Sequence, residues 1–189
     1  MSFMICTRGG KCTLPSKRFF IYLQGDFRSM INKHVFVISV IIFAIMTRFL
    51  PHPPNFTPLG AIALLSSKGL SDRWIVFAIP VTSLFISDLI IGLHATIPFV
   101  YASFVLITLL GTTVKKINVG TILLSSVIFF IVSNFGVWLL YYPQTLEGLI
   151  QCYTLAIPFF FNTVLGDLIF SALLIFPFYF LRKRELLKV

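Results

Sequence analysis

Residues 119–140 read VGTILLSSVIFFIVSNFGVWLL, an unbroken run of twenty-two residues without a single charged side chain. At 1.5 Å per residue such a helix is ~33 Å long, enough to cross a hydrocarbon core of ~30 Å. Working outward, further apolar stretches lie on both sides, at about 157–181 on the C-terminal side and about 96–113 and 74–92 on the N-terminal side. An apolar segment at 35–50, VFVISVIIFAIMTRFL, opens the series. Between it and the rest lies a shorter stretch, TPLGAIALLSSKGL at 57–70, which by length alone reads as a crossing segment or a re-entrant half-helix.

Charge placement decides between five crossings and six. With six, and the N-terminus inside, the inner segments hold Arg8, Lys11, Lys17, Arg18, Arg28 and Lys33, then Lys68 and Arg73, then Lys115 and Lys116. The C-terminal tail adds Arg182, Lys183, Arg184 and Lys188, which leaves Arg48 alone of the 15 basic residues near the outer side. Omitting the short segment would put the last three groups outside, against the positive-inside tendency. The expected fold is an all-α membrane protein: a six-transmembrane-helix bundle with both termini in the cytoplasm.

Composition agrees. Of the 189 residues 58% are hydrophobic and only 11% charged, against roughly 25% charged in soluble domains. The net charge of +9 sits in short loops between apolar runs, so it reads as a membrane-insertion pattern and not as a nucleic-acid surface. Residues 34–182 are expected to form the transmembrane domain and 183–189 a basic cytoplasmic tail. Residues 1–33 form a basic leader without an apolar stretch ending in a cleavage site, so they are not an ordinary signal peptide. Met30 is an alternative start, and the leader is expected to lack a fixed fold. Cys6 and Cys12 within it have no second pair to complete a zinc site and read as unpaired thiols.

Two outer connections stand out. The first runs Pro51-His52-Pro53-Pro54-Asn55-Phe56-Thr57-Pro58, and four prolines in eight residues forbid a continuous helix and favour an extended turn. In the second, Tyr142-Pro143 breaks the helix, and Leu146, Leu149, Ile150 and Tyr153 recur at helical spacing. A short amphipathic outer helix between spans 5 and 6 is expected there.

Polar side chains inside apolar runs cost ~2.5–3.5 kcal/mol each at mid-bilayer on insertion scales when ionised, so each needs a reason. Here they gather in one half of the membrane: Arg48 and Asn55 after span 1, Asp88 late in span 3, Asn134 and Trp138 in span 5, Asn162 and Asp167 in span 6. A proton path would need polar steps through both halves, whereas a water-facing pocket needs them in one. These seven residues are therefore the candidate substrate-binding set. Four have a plain structural reading beside it. Arg48 and Asp88 could pair with each other, Asn134 could bridge helices, and Trp138 could belong to an interfacial aromatic belt. His52 and His94 in separate loops are weak metal candidates, and no metal or cofactor is expected. Gly60, Ala63 and Ser67 share one face of span 2; the default is internal packing, and a partner-docking face is the sharper reading. No HExxH, GxSxG or Walker lysine loop is present, so the chain is not expected to be an enzyme.

The string from Arg48 through Pro51-His52-Pro53-Pro54-Asn55-Phe56-Thr57-Pro58-Leu59-Gly60-Ala61 resembles the opening of a bacterial family of uncharacterised membrane proteins described only as candidate transport proteins. The likeness continues through Ser87-Asp88, Asn134-Phe135-Gly136-Val137-Trp138, Tyr142-Pro143, Gly148-Leu149, Cys152-Tyr153 and Pro158-Phe159-Phe160. That family in turn is similar to the substrate-binding S-components of energy-coupling-factor transporters. The resemblance implies a six-helix bundle, an outer-face ligand pocket closed by loops, and a vitamin-like small-molecule substrate. It also implies a transmembrane coupling subunit and cytoplasmic ATPases as partners, in the cytoplasmic (inner) membrane. The sequence departs from that pattern in lacking an Ala-x-x-x-Ala pair in span 1. A structural scaffold of the cell envelope is the alternative, and an integral membrane enzyme acting on lipid the third reading.

Overall fold

The computed structural model describes residues 5–6, 12–13, 35, 37–70 and 72–186, the side chains of 5–6, 12–13, 69 and 176–186 excepted. The chain divides into two units, Met1–Ser39 and Val40–Val189. In the first, β1 (Ile5–Cys6) and β2 (Cys12–Thr13) pair antiparallel, with Cys6 opposite Cys12 in register. The two thiols, the Met30 start, the remaining leader charges and the tail beyond 186 lie outside the described residues.

The rest is helical. α1 is Val37–Phe49, α2 Leu59–Gly69, α3 Arg73–Ile91, α4 Ile97–Thr113, α5 Val119–Tyr141 and α6 Leu146–Leu186. Three are long and apolar enough to cross a membrane: α3, α5 and the Leu146–Ile175 stretch of α6. α1, α2 and α4 are shorter apolar helices.

Local chemistry sets the boundaries. The Asp72 carboxylate accepts from the Trp74 amide at 3.0 Å and caps α3, and Asn118 does the same for α5 by accepting from Thr121 at 2.9 Å. Each satisfies an amide that lacks an intrahelical partner. α3 ends at Gly92, whose φ of 124° lies where a side chain is strongly disfavoured. α5 ends at Tyr142, held extended at φ −119°, ψ 157° because Pro143 bars the helical region for the residue before it.

One expectation is corrected at the α5–α6 corner. The amphipathic segment is not a separate outer helix; it forms the first turns of the 41-residue α6. Nothing between Tyr153 and Ile157 stops the helix, and Pro158 is absorbed within it. A proline removes one backbone hydrogen bond, which neighbouring helices and hydroxyl side chains compensate inside a membrane bundle. The helix also runs past the expected end near 181, to Leu186.

The packing is that of a membrane bundle. Large apolar side chains face outward on α1, α3, α4, α5 and α6, among them Ile42, Ile90, Leu109, Ile131 and Leu165. The interior is built with small hydroxyl residues such as Ser83, Ser103, Ser125 and Ser126. Each of these donates to a carbonyl three or four residues back in its own helix or to a neighbour. Small residues let helix backbones approach closely where lipid gives no hydrophobic drive for association.

At the centre sits α2. Ala61, Ile62, Ala63 and Leu64 are at most 1% exposed, and the helix packs against α3, α4, α5 and α6. Its 11 residues measure ~16 Å, about half of a ~30 Å hydrocarbon core. The proline-rich segment before it makes a turn, the Phe56 amide donating to the Pro53 carbonyl at 3.0 Å with Asn55 at φ 66°. Its end packs along α6: the Phe56 ring meets Phe170 at 5.5 Å, and a Cβ on Gly166 would lie 3.2 Å from the Phe56 Cα. Pro58, at the start of α2, is fully buried.

Candidate functional site

Arg48, at the end of α1, reaches α3. Its guanidinium contacts the Asp88 carboxylate at 2.7 Å and donates to the Ser87 hydroxyl at 2.8 Å. The Tyr101 hydroxyl of α4 donates to the other Asp88 oxygen at 3.1 Å. Asp88 is 1% exposed. A carboxylate so far from water is costly unless paired and hydrogen-bonded, and here both conditions are met. Asp88 is thus occupied in tying α1, α3 and α4 together, while Arg48 also lines an adjoining cavity.

That cavity, of about 290 Å³, opens between Arg48, His52, Asn55 and His94 and closes on Gly60, Thr163 and Asp167. Its α4 wall runs from Val100 to Ile107, and Ile107 lies ten residues into α4, ~15 Å along the axis. Leu84, Phe104 and Phe129 make the sides apolar.

Asp167 is the ionisable group at its base, 4% exposed. One oxygen accepts from the Ser126 hydroxyl of α5 at 2.6 Å. The other rests on the first turn of α2: a Cβ on Gly60 would fall 2.1 Å from it, so only glycine leaves room. The amides of a helix's first turn lack intrahelical partners, and the helix dipole puts partial positive charge there. α2 begins in the middle of the bundle, and the charge it faces is the protein's own carboxylate. Among the described residues the Arg48–Asp88 contact is the one ion pair, so no basic side chain neutralises Asp167.

A second cavity of about 390 Å³ adjoins the first, and the two share Asn55, His94, Val100 and Phe129. It reaches Asn134, Tyr142 and Cys152 between α5 and α6. Asn134 donates its side-chain amide to the Phe130 carbonyl at 2.8 Å.

Of the sequence-derived set, then, Arg48, Asn55 and Asp167 line the first cavity, and Asn55 and Asn134 the second. Asp88 lines neither and serves as the anchor of Arg48. Trp138 also lines neither: its indole donates to the Pro143 carbonyl at 3.1 Å and its ring packs on Phe135, which fixes the α5–α6 corner. Asn162, half-buried on α6, lies outside both. The face of Gly60, Ala63 and Ser67 is corrected as a docking surface. Gly60 meets Asp167, Ala63 is 0% exposed, and Ser67 fills the space that a Cβ on Gly111 of α4 would need. Internal packing consumes it.

The sequence reading missed Thr163, Ser126, Phe104 and Phe129. Thr163 stands four residues before Asp167 and so shares its helix face, a signal that was there to be read. The two phenylalanines are apolar residues in apolar helices, and nothing local marks them. Among the described residues no three His, Cys, Asp or Glu side chains gather where a metal could be held.

Helix length, hydropathy and the outward-facing apolar side chains make this a multi-pass membrane protein, with a cavity that carries a carboxylate at its base. It belongs to a family of unknown function, DUF6580, whose pattern matches residues 28–188. No curated protein and no solved structure matches the chain.

Proposed function

We propose that this protein is a small-molecule binding subunit for uptake across the cytoplasmic membrane, with its cavity opening to the outside and both termini in the cytoplasm. The observation that carries the reading is Asp167: a buried, unpaired carboxylate that forms the base of a cavity and rests on a helix beginning mid-bundle. An ionisable group inside the membrane is expensive and faces a cavity or a partner when it persists. Transporters that use interrupted helices place their substrate sites at such mid-membrane helix ends. Orientation follows from the basic residues: Lys68, Arg73, Lys115 and Lys116 mark the opposite end of the bundle from the cavity mouth. The energy-coupling-factor S-component type remains the closest mechanistic analogy. Its coupling subunit and ATPases would have to meet a lipid-facing surface, because α2 is enclosed.

The test is mass spectrometry of small molecules released from the detergent-purified protein, beside an Asp167→Asn variant with an unchanged unfolding profile. A compound at near-stoichiometric level in the parent and lost in the variant is expected. No bound compound in either, across rich growth media, would overturn the proposal in favour of an envelope scaffold, for which the Arg48–Asp88–Tyr101 network would be sufficient purpose.

A further inference from the structure

The cavity's charge balance selects its ligand. Arg48 is the one arginine on the wall, and its charge is matched by Asp88 at 2.7 Å. The helix end at the base of the cavity already faces a carboxylate, so it offers little to a ligand anion. What remains uncompensated is Asp167, held by a single hydroxyl donor, Ser126. Beside it, the Thr163 hydroxyl spends its proton on the Phe159 carbonyl at 2.9 Å, which leaves its lone pairs as acceptors, and the Thr57 hydroxyl on the same wall can accept or donate. Above this base, Phe104 and Phe129 line the same cavity with ring centroids 5.4 Å apart. Aromatic faces attract cations and accept flat apolar groups.

We infer that the cavity takes a small organic monocation bearing N–H donors: an ammonium or protonated ring nitrogen on Asp167 and Thr163, with a compact apolar or aromatic body against Phe104 and Phe129. This rests on the uptake reading above and adds the charge and shape of the substrate. The neutral hydroxyl analogue keeps the shape and the donor but loses the charge pairing. An anion meets Asp167 as a like charge in a medium of low dielectric.

Three probes of equal length and ring isolate the charge: phenethylammonium, 2-phenylethanol and phenylacetate. Binding to the full chain in lipid nanodiscs is measured by calorimetry. The expected order is ammonium first, alcohol about tenfold or more weaker, and phenylacetate weakest. In Asp167→Asn the preference for ammonium over alcohol should disappear while the alcohol's own affinity changes little. Phe129→Leu should weaken the ammonium more than the alcohol, by about threefold or more. Equal affinities, a preference for phenylacetate, or no binding of the ammonium at millimolar concentration would overturn the inference. Should Asp167→Asn fail to fold, the order of the three probes on the parent protein still decides it. Co-purification of a neutral or anionic compound would also overturn this inference while leaving the uptake reading standing; absence of any bound compound removes both.

Discussion

Replacing Arg48 with Met removes the partner of a carboxylate that is 1% exposed. Asp88 would keep only the Tyr101 hydroxyl at 3.1 Å, and water reaches it poorly. Breaking a buried pair from one side costs about 3–5 kcal/mol. Arg48 is itself 17% exposed, so some water already touches the pair, and the lower end, ~3 kcal/mol, is expected. Asp88→Leu alone should cost less, ~1–2 kcal/mol, because the long arginine stem can carry its charge toward the cavity mouth. With both replaced, no charge is left to desolvate. What is lost is one partner each for Ser87 and Tyr101, ~1 kcal/mol in total. The double-mutant cycle should therefore show a coupling of ~3 kcal/mol. Reversible unfolding in mixed micelles of rising denaturing-detergent fraction, followed by circular dichroism, would measure all three variants. A cost below ~1 kcal/mol for Arg48→Met, or a double variant as unstable as the two single costs added together, would refute the assignment of Asp88 as a paired structural anchor.

Two further outcomes are expected. Gly60→Ala places a methyl 2.1 Å from the Asp167 carboxylate, so either α2 or α6 must move; a loss of ~1–3 kcal/mol in the same unfolding assay is expected, and a wild-type transition would show that the two helices do not meet there. His94 is exposed and lines both cavities, so a His94→Cys variant in a Cys6→Ser, Cys12→Ser, Cys152→Ser background should be modified by a small membrane-impermeant thiol reagent from outside intact cells. Modification only from the cytoplasmic side of inverted vesicles would reverse the proposed orientation.

The membrane class and the helix positions were legible because they depend on local properties. A charge-free run such as 119–140 has no soluble alternative, and caps at Asp72 and Asn118 act over three residues. The short span 2 was ambiguous for a physical reason: its 11-residue helix is ~16 Å long, about half of a ~30 Å hydrocarbon core, and the proline-rich segment before it turns instead of prolonging the helix. Periodicity marked the 144–155 segment as helical, but it could not show that the helix continues through Pro158, since the compensation for that proline comes from elsewhere in the bundle.

The candidate site divides along the same line. Ionisable and amide residues stand out in an apolar sequence because each carries a desolvation cost, so Arg48, Asp88, Asn134 and Asp167 could be picked by type alone. Their roles could not. Asp88 and Asp167 are the same residue type in apolar helices, yet one is neutralised by an arginine on another helix and the other is left facing a cavity. That difference arises from contacts between positions 40 residues apart in one case, Arg48 and Asp88, and 41 in the other, Ser126 and Asp167. The sequence by itself determined that the chain lies in a membrane as a helical bundle with its unusual polar groups toward one end, because hydropathy and charge act through the solvent on each segment separately. The pairing of those groups, the closure of the Gly60 face and the charge left unanswered at the base of the cavity were decided only by tertiary structure, because pairing depends on which helices meet and at what depth.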